Sequence, residues 1–288
     1  MKKIAVMADI HGNSEALRTC IHEARKRKVD EFIFLGDYIG DMASPQRTLE
    51  LLKQIEEQYP CTFIRGNKEN YWIDHRRNSD EVWESGKTPT GMLAYNYSQL
   101  SNSDIDFFEK LPISDIMHYD GYPDVTICHG SPSKVNQSMR PDYDYIDELM
   151  DEIPTDLVLC GHFHIQMNYK RKGKQIINPG AVGVPLHSEG KTQFMILHGN
   201  QGVWSPEFIS LHYDRERVIK DMELEKLDIK APGWYKITKH LLMTGEISHA
   251  TVVRKVMDLY FRESGKYDLD QIPENIWNRV IEELFSCK

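Results

Sequence analysis

The sequence predicts an α/β fold, a sheet with helices over its faces, continued by a helical C-terminal extension. Three observations carry this. Five short apolar runs, partly β-branched or aromatic, each end in a Gly or polar cluster, as buried strands do. Amphipathic stretches of 3.6-residue period lie between them, the alternation of a layered α/β domain. Beyond residue 213 strand signals cease and apolar residues recur at helical spacing.

The strand runs are residues 4–8, 32–35, 62–64, 125–128 and 157–160. A helix over 14–28 carries Ala16, Leu17, Ile21 and Ala24 on one stripe, behind Asn13 as its N-cap. A second helix, over 45–57, takes Ser44 as cap and Pro45 at its first position, where a missing N–H costs nothing. After Asn178 the texture changes: 193–198 and 204–212 alternate or run apolar around Gly199-Asn200-Gln201-Gly202, which reads as a hairpin. In the tail, Val252, Val256, Leu259 and Tyr260 share one helical face, as do Ile276, Val280, Ile281 and Leu284. Ala231-Pro232-Gly233 is the best boundary signal.

Charge narrows the function classes. The 288 residues include 35 Lys or Arg and 44 Asp or Glu, a formal charge of −9 at pH 7. A binder of nucleic acid or of an anionic membrane needs at least a local basic excess. The dense basic run, Arg25-Lys26-Arg27-Lys28, closes the first helix, where cations complement the helix dipole. The apolar run at 4–8 is too short for a signal-peptide core, and no stretch approaches the ~18 apolar residues of a membrane span. Five cysteines, Cys20, Cys61, Cys128, Cys160 and Cys287, are odd in number and form no C-x-x-C pair. The expectation is a cytoplasmic protein with reduced thiols and no membrane partner.

Where each strand ends, a metal-ligand type of residue follows: Asp9-Ile10-His11-Gly12-Asn13, Gly36-Asp37, Gly66-Asn67, His129-Gly130 and Gly161-His162-Phe163-His164. In open α/β sheets the binding crevice lies outside the carboxyl ends of the strands, so these blocks can converge. D-x-H alone is expected about once by chance in a chain of this composition, G-H-x-H only about 0.03 times. The signal is all five in order, each directly after a strand. Asp and His supply hard oxygen and borderline nitrogen, suited to manganese, iron, cobalt, nickel or zinc rather than calcium. Two such ions roughly 4 Å apart clamp a phosphoryl group and lower the pKa of a bridging water, whose hydroxide attacks phosphorus in line with the leaving oxygen.

This arrangement resembles the calcineurin-like metallophosphoesterase superfamily, and within it the YfcE-like bacterial phosphodiesterases. The family pattern, D-x-H, G-D, G-N-H-D/E, H-G and G-H-x-H, is matched at nearly every position. Residues 36–45, His129-Gly130-Ser131-Pro132 and Ile177-Asn178-Pro179-Gly180-Ala181-Val182-Gly183 match features of that branch. The resemblance implies a metallophosphoesterase-type two-sheet sandwich flanked by helices over 1–228, leaving 229–288 as a helical extension, a lid or an oligomer contact. Carried over by motif, one metal takes Asp9, His11 and His164, the other Asn67, His129 and His162, and Asp37 bridges them. In an extended loop His162 and His164 point the same way and serve neighbouring metals. Asn13 and Asn67 are candidates for phosphate contact.

Lys68 departs from the pattern. The family has His after the Asn, and a lysine is a point-charge donor to phosphate but, with a pKa near 10.4, a different acid. Phosphate binding can survive this change while leaving-group protonation weakens. Glu69 keeps the acidic position. The function expected is a phosphoesterase with two divalent ions, manganese foremost, acting on phosphodiesters of small phosphorylated substrates, with Asp37 and Lys68 in catalysis. Nucleic acid enters only as a phosphodiester substrate, and a homo-oligomer is left open. The alternatives are a phosphomonoesterase, acting on protein or nucleotide, or a phosphoesterase fold kept as a binding or regulatory module.

Overall fold

In a computed structural model, residues 2–78 and 82–286 are described. The chain begins β1 (Lys2–Met7), α1 (Ser14–Lys26), β2 (Glu31–Phe34), α2 (Pro45–Glu56), β3 (Cys61–Phe63) and α3 (Asn67–Arg77). Next come α4 (Thr88–Gln99), α5 (Asn102–Lys110), β4 (Ser114–Met117), β5 (Val125–Cys128), α6 (Ile146–Glu152) and β6 (Leu157–Leu159). Then follow β7 (Gln166–Arg171), β8 (Lys174–Pro179), β9 (Thr192–Asn200) and β10 (Val203–Leu211). The tail is α7 (Arg215–Leu224), α8 (Leu227–Lys230), α9 (Pro232–Thr244), α10 (His249–Ser264) and α11 (Glu274–Ser286).

The strands form two five-stranded mixed sheets, ordered β10-β9-β1-β2-β3 and β4-β5-β6-β8-β7. Ile4, Val6, Ile33, Leu35, Met195 and Leu197 of the first meet Val125, Ile127, Leu157, Leu159 and Ile177 of the second in one apolar layer. The outer face of the first sheet buries the stripe of α1 (Ala16, Leu17, Cys20, Ile21 and Ala24) together with Phe32, Phe34 and Phe108. The outer face of the second is covered by α6. The α/β sandwich with flanking helices is therefore present, with parallel pairs β1–β2, β5–β6 and β6–β8 inside the sheets and the parallel pair β2–β3 at the edge of the first.

Local chemistry explains the elements. Asn13 caps α1, its Oδ1 accepting from Ala16 N at 3.1 Å. Pro45 opens α2, but Ser44 makes no side-chain cap hydrogen bond and contributes only its carbonyl to Thr48 N; the proline ring sets the helical φ unaided. The β9–β10 hairpin turns on Gln201 and Gly202, both with left-handed φ (+49° and +77°), the geometry whose twist matches antiparallel strands. Ala231-Pro232-Gly233 is a packed joint: Pro232 starts α9, and Gly233 N donates to Thr88 Oγ1 at 3.0 Å. Glu274 of α11 accepts from Thr88 N and Oγ1 at 2.7 and 2.6 Å, an acid at the N-terminus of α4. Helices α9 to α11 share a core of their own around Ile237, Val252, Val256, Trp277 and Val280.

Cys20, Cys61, Cys128 and Cys160 are free thiols, and Cys287 lies outside the described residues. No helix among the described residues is long and apolar enough to cross a membrane.

Candidate metal centre

All five blocks converge where β1, β2, β3, β5 and β6 end. Main-chain bonds lace the loops together: Asp9 N to Gly36 O at 3.1 Å, His11 N to Asp37 O at 2.9 Å, Gly161 N to His129 O at 2.8 Å. Asn178 Nδ2 braces the last loop through Gly161 O at 2.6 Å. Of twelve non-glycine residues with left-handed φ among the described residues, five are Asp9, His11, Asp37, His162 and His164. Such backbone is costly and persists where surrounding bonds over-determine it, typically at functional sites. Gly36 and Gly66 touch backbone to backbone; a Cβ on Gly36 (φ +88°) would stand 2.5 Å from Gly66 N.

Two histidines face one carboxylate from opposite sides. His129 Nδ1 donates to Leu35 O at 2.6 Å, which leaves the Nε2 lone pair 3.1 Å from Asn67 Oδ1 and 3.5 Å from Asp37 Oδ1. His11 Nδ1 lies 2.6 Å from Asp41 Oδ2 as an ion-pair contact, neither buried ring nitrogen has a partner of hydrogen-bond geometry, and Nε2 stands 3.5 Å from Asp37 Oδ2. His164 Nε2 lies 3.3 Å from Asp9 Oδ1. The ligand atoms of Asp9, His11 and His164, and those of Asp9, Asp37 and His129, each fall within 4.8 Å of one another. Lone pairs aimed at carboxylates repel unless a cation stands between them, so these donors fit divalent metal.

Electrostatics agrees. Asp9, Asp37 and Asp41 are all buried here, a density of negative charge that needs compensation, and burial, then Asp37, pushes the equally buried Glu69 up to about 7. Burial alone would raise the Asp9 pKa, but His164, His129 and His11 hold it well below the usual carboxylate range. Burial lowers and Asp37 and Asp9 raise the pKa of His129, and the net direction is up: the pocket calls for positive charge at that nitrogen. Burial, then His129, pushes His162 down to about 4, leaving a neutral imidazole with a free lone pair.

His162 and His164 do not sit on an extended loop as the spacing suggested. Both take left-handed φ; His164 reaches Asp9, while the His162 ring packs against His129 at 5.2 Å between centroids. Asn13 is committed to the fold. Besides capping α1, its Nδ2 donates to Gly183 O and Tyr213 Oη at 3.1 and 3.2 Å, so it offers phosphate no free N–H. Lys68 donates its main-chain N to Asp37 Oδ1 at 2.8 Å and its Nζ to Asp41 Oδ1 at 3.2 Å. Burial would lower the Lys68 pKa, yet Asp41 raises it further, so the side chain is an ammonium.

Two acids carry more of the site than the motifs indicated. Glu69 accepts from Asp37 N, Tyr38 N and Gly66 N at 2.9, 2.9 and 2.7 Å, tying the two glycine loops together. Asp41 holds both His11 and Lys68; the one signal for it is its place in the Gly36–Pro45 loop. Trp234 and His249, from the tail, also come close to Asp41, and nothing local in sequence announces them.

Residues 1–202 match the calcineurin-like phosphoesterase superfamily domain. An uncharacterised protein of Methanocaldococcus jannaschii is 24% identical over 248 residues, spanning 80% of this chain and 94% of its own. Among solved structures, a hypothetical protein from Pyrococcus horikoshii superposes with a TM-score of 0.70 at 19% identity, over 86% of this chain and 100% of that one. A metallophosphoesterase from Sphaerobacter thermophilus gives a TM-score of 0.67 at 20% identity, over 85% and 99%. At these identities the two structures speak for the fold alone.

Proposed function

The chain belongs to the calcineurin-like phosphoesterase superfamily, and from that premise we propose that it is a two-metal phosphoesterase acting on phosphodiesters. The observation that carries this reading is the pair of imidazoles, His11 and His129, each with Nδ1 against an oxygen behind it (Asp41 Oδ2 and Leu35 O, both at 2.6 Å) and Nε2 turned onto opposite oxygens of Asp37. Asp9, His11 and His164 would hold one ion, and Asn67, His129 and His162 the other, with Asp37 between them. Manganese is the first choice for this donor set, with iron, zinc, nickel or cobalt as alternatives. When bound, such ions supply Lewis acidity and an activated water for displacement at phosphorus.

The chain's own groups do the rest. Lys68 offers an ammonium to a non-bridging phosphate oxygen, a point charge already held in place by Asp41. Because Asp41 raises its pKa, Lys68 is a poor proton donor, so solvent protonates the leaving oxygen or the leaving group departs as a stable anion. Lys68 against Asp41 is also close to neutral. That suits the single charge of a phosphodiester better than the two of a monoester. Unpaired cysteines suit a reducing compartment, and we place the protein in the cytoplasm.

The test is turnover of bis-nitrophenyl phosphate by metal-stripped protein titrated with Mn²⁺, with mono-nitrophenyl phosphate alongside. The expectation is activity that saturates near two ions per chain and favours the diester, and loss of more than about 100-fold in Asp37→Asn. Full metal content and full turnover in Asp37→Asn would sink the assignment. The pairing of Lys68 with Asp41 favours one second reading, a binding module, for which tight metal without turnover on any ester is the signature.

A further inference from the structure

Asp41 is buried four positions beyond Asp37 and contacts three nitrogens, two of them hydrogen-bond donors to it. Its Oδ2 lies 2.6 Å from His11 Nδ1; its Oδ1 takes Lys68 Nζ at 3.2 Å and Trp234 Nε1 at 2.9 Å. The first two belong to the metal centre. The third arrives from α9, 193 residues away in sequence. Trp234 is itself held: its ring stacks on His249 at 4.6 Å between centroids and 24° between planes, and His249 Nε2 pairs with Thr238 Oγ1 at 2.9 Å. Helix α9 cannot easily slide, because Gly233 N is bonded to Thr88 Oγ1 and Ile237 and Leu241 are buried.

We infer that Trp234 is a positioning residue of the metal centre, its indole N–H fixing the Asp41 carboxylate and, through it, the His11 ring and the Lys68 ammonium. The inference rests on the two-metal reading above and assigns the C-terminal helices a part in it. An indole N–H is a donor only and does not titrate, so it holds Oδ1 at any working pH. With Oδ1 shared by Trp234 and Lys68, Oδ2 is kept for His11 Nδ1, and His11 Nε2 stays aimed at Asp37. Remove the indole donor and the carboxylate can rotate toward the Lys68 ammonium, which frees the His11 ring. Partners behind a ligating histidine are typically worth 10–100-fold in metal affinity. Trp234 acts one contact further out, so about tenfold is expected.

Trp234→Phe keeps a ring against His249 and deletes the donor. Mn²⁺ binding to the metal-stripped protein, measured by calorimetry and electron paramagnetic resonance without substrate, reads the effect directly. The expected result is one Mn²⁺ equivalent weakened about tenfold, the other held within about twofold, and Tyr235→Phe on the same helix, whose lost hydroxyl donates to Glu223 at 2.6 Å and accepts from Lys239 at 3.1 Å away from the centre, unchanged in both. Both equivalents unchanged in Trp234→Phe would overturn the inference; so would both weakened alike, the mark of general loosening. If the wild-type protein takes up neither Mn²⁺ nor any of iron, zinc, nickel or cobalt, the two-metal reading itself fails and the inference with it, an outcome seen before any variant is made; if it takes up one of these instead, calorimetry with that ion reads the same comparison. Should Trp234→Phe not fold, Trp234→Leu, which also lacks the donor, takes its place.

Discussion

His11 and His129 present the same nitrogen to the same carboxylate, yet they are held by different means. His129 leans on the carbonyl of Leu35, part of the main chain at the end of β2, and is fully buried. His11 leans on Asp41, a side chain that also answers to Lys68 and to Trp234 of the extension. A carbonyl cannot be mutated away or titrated. A carboxylate can be both. One half of the centre is therefore built into the sandwich, and the other half is adjustable from outside it.

Asp41→Asn should separate the halves most strongly. It removes the negative charge behind His11 while leaving His129 untouched, so one Mn²⁺ equivalent should weaken by about 10–100-fold and the other should not move. Equal weakening of both in a titration of the metal-stripped protein would erase the contrast. Lys68→His is expected to act next. On diesters with poor leaving groups it should raise kcat by about tenfold or more, as a group of lower pKa can donate a proton, with little change on bis-nitrophenyl phosphate. A uniform change across leaving groups would assign Lys68 to phosphate binding only.

Acid should give the smallest effect. Burial pushes His162 and His249 each down to about 4, so their neutral forms belong to the folded state. Unfolded histidines take up protons below about 6.5, so this contribution is full above that pH and is lost as pH falls toward 4. Thermal stability of the metal-stripped protein should therefore drop across that window, by at most about 1.4 kcal/mol per pH unit for each group. His249→Asn should flatten part of the slope, on the extension side alone. A slope unchanged in that variant would mean His249 is protonated in the fold.

The ligand candidates of both halves were legible; what stands behind His11 was not. Asp9, Asp37, His129 and His162 follow their strands within three residues, so local patterning places them and sheet topology brings them together. Asp41 reads from the sequence either as a turn residue of the 36–45 loop or as a support behind the metal ligands, and nothing local decides, because its role depends on where α3 and α9 deliver Lys68 and Trp234. Contacts across 193 residues leave no local trace. The paired histidines show another limit. Period-two spacing is informative only where backbone is extended, and His162 and His164 both take left-handed φ in a loop whose His162 N donates to Asp9 and whose Gly161 O accepts from Asn178 Nδ2. Asn13 sits in a motif and also caps α1 and bonds Gly183 and Tyr213, so its place in the sequence has a structural explanation of its own.

The contact between Gly36 and Gly66 makes the molecule its own caliper. The loop bearing Asp37 and the loop bearing Asn67 are stopped by peptide against peptide, and a single methyl group at either glycine would act as a wedge between them. Peptide groups have the same dimensions in every protein. An opening gauged by them survives the exchange of almost any surrounding side chain, so the sequence is free to drift far while the gap does not.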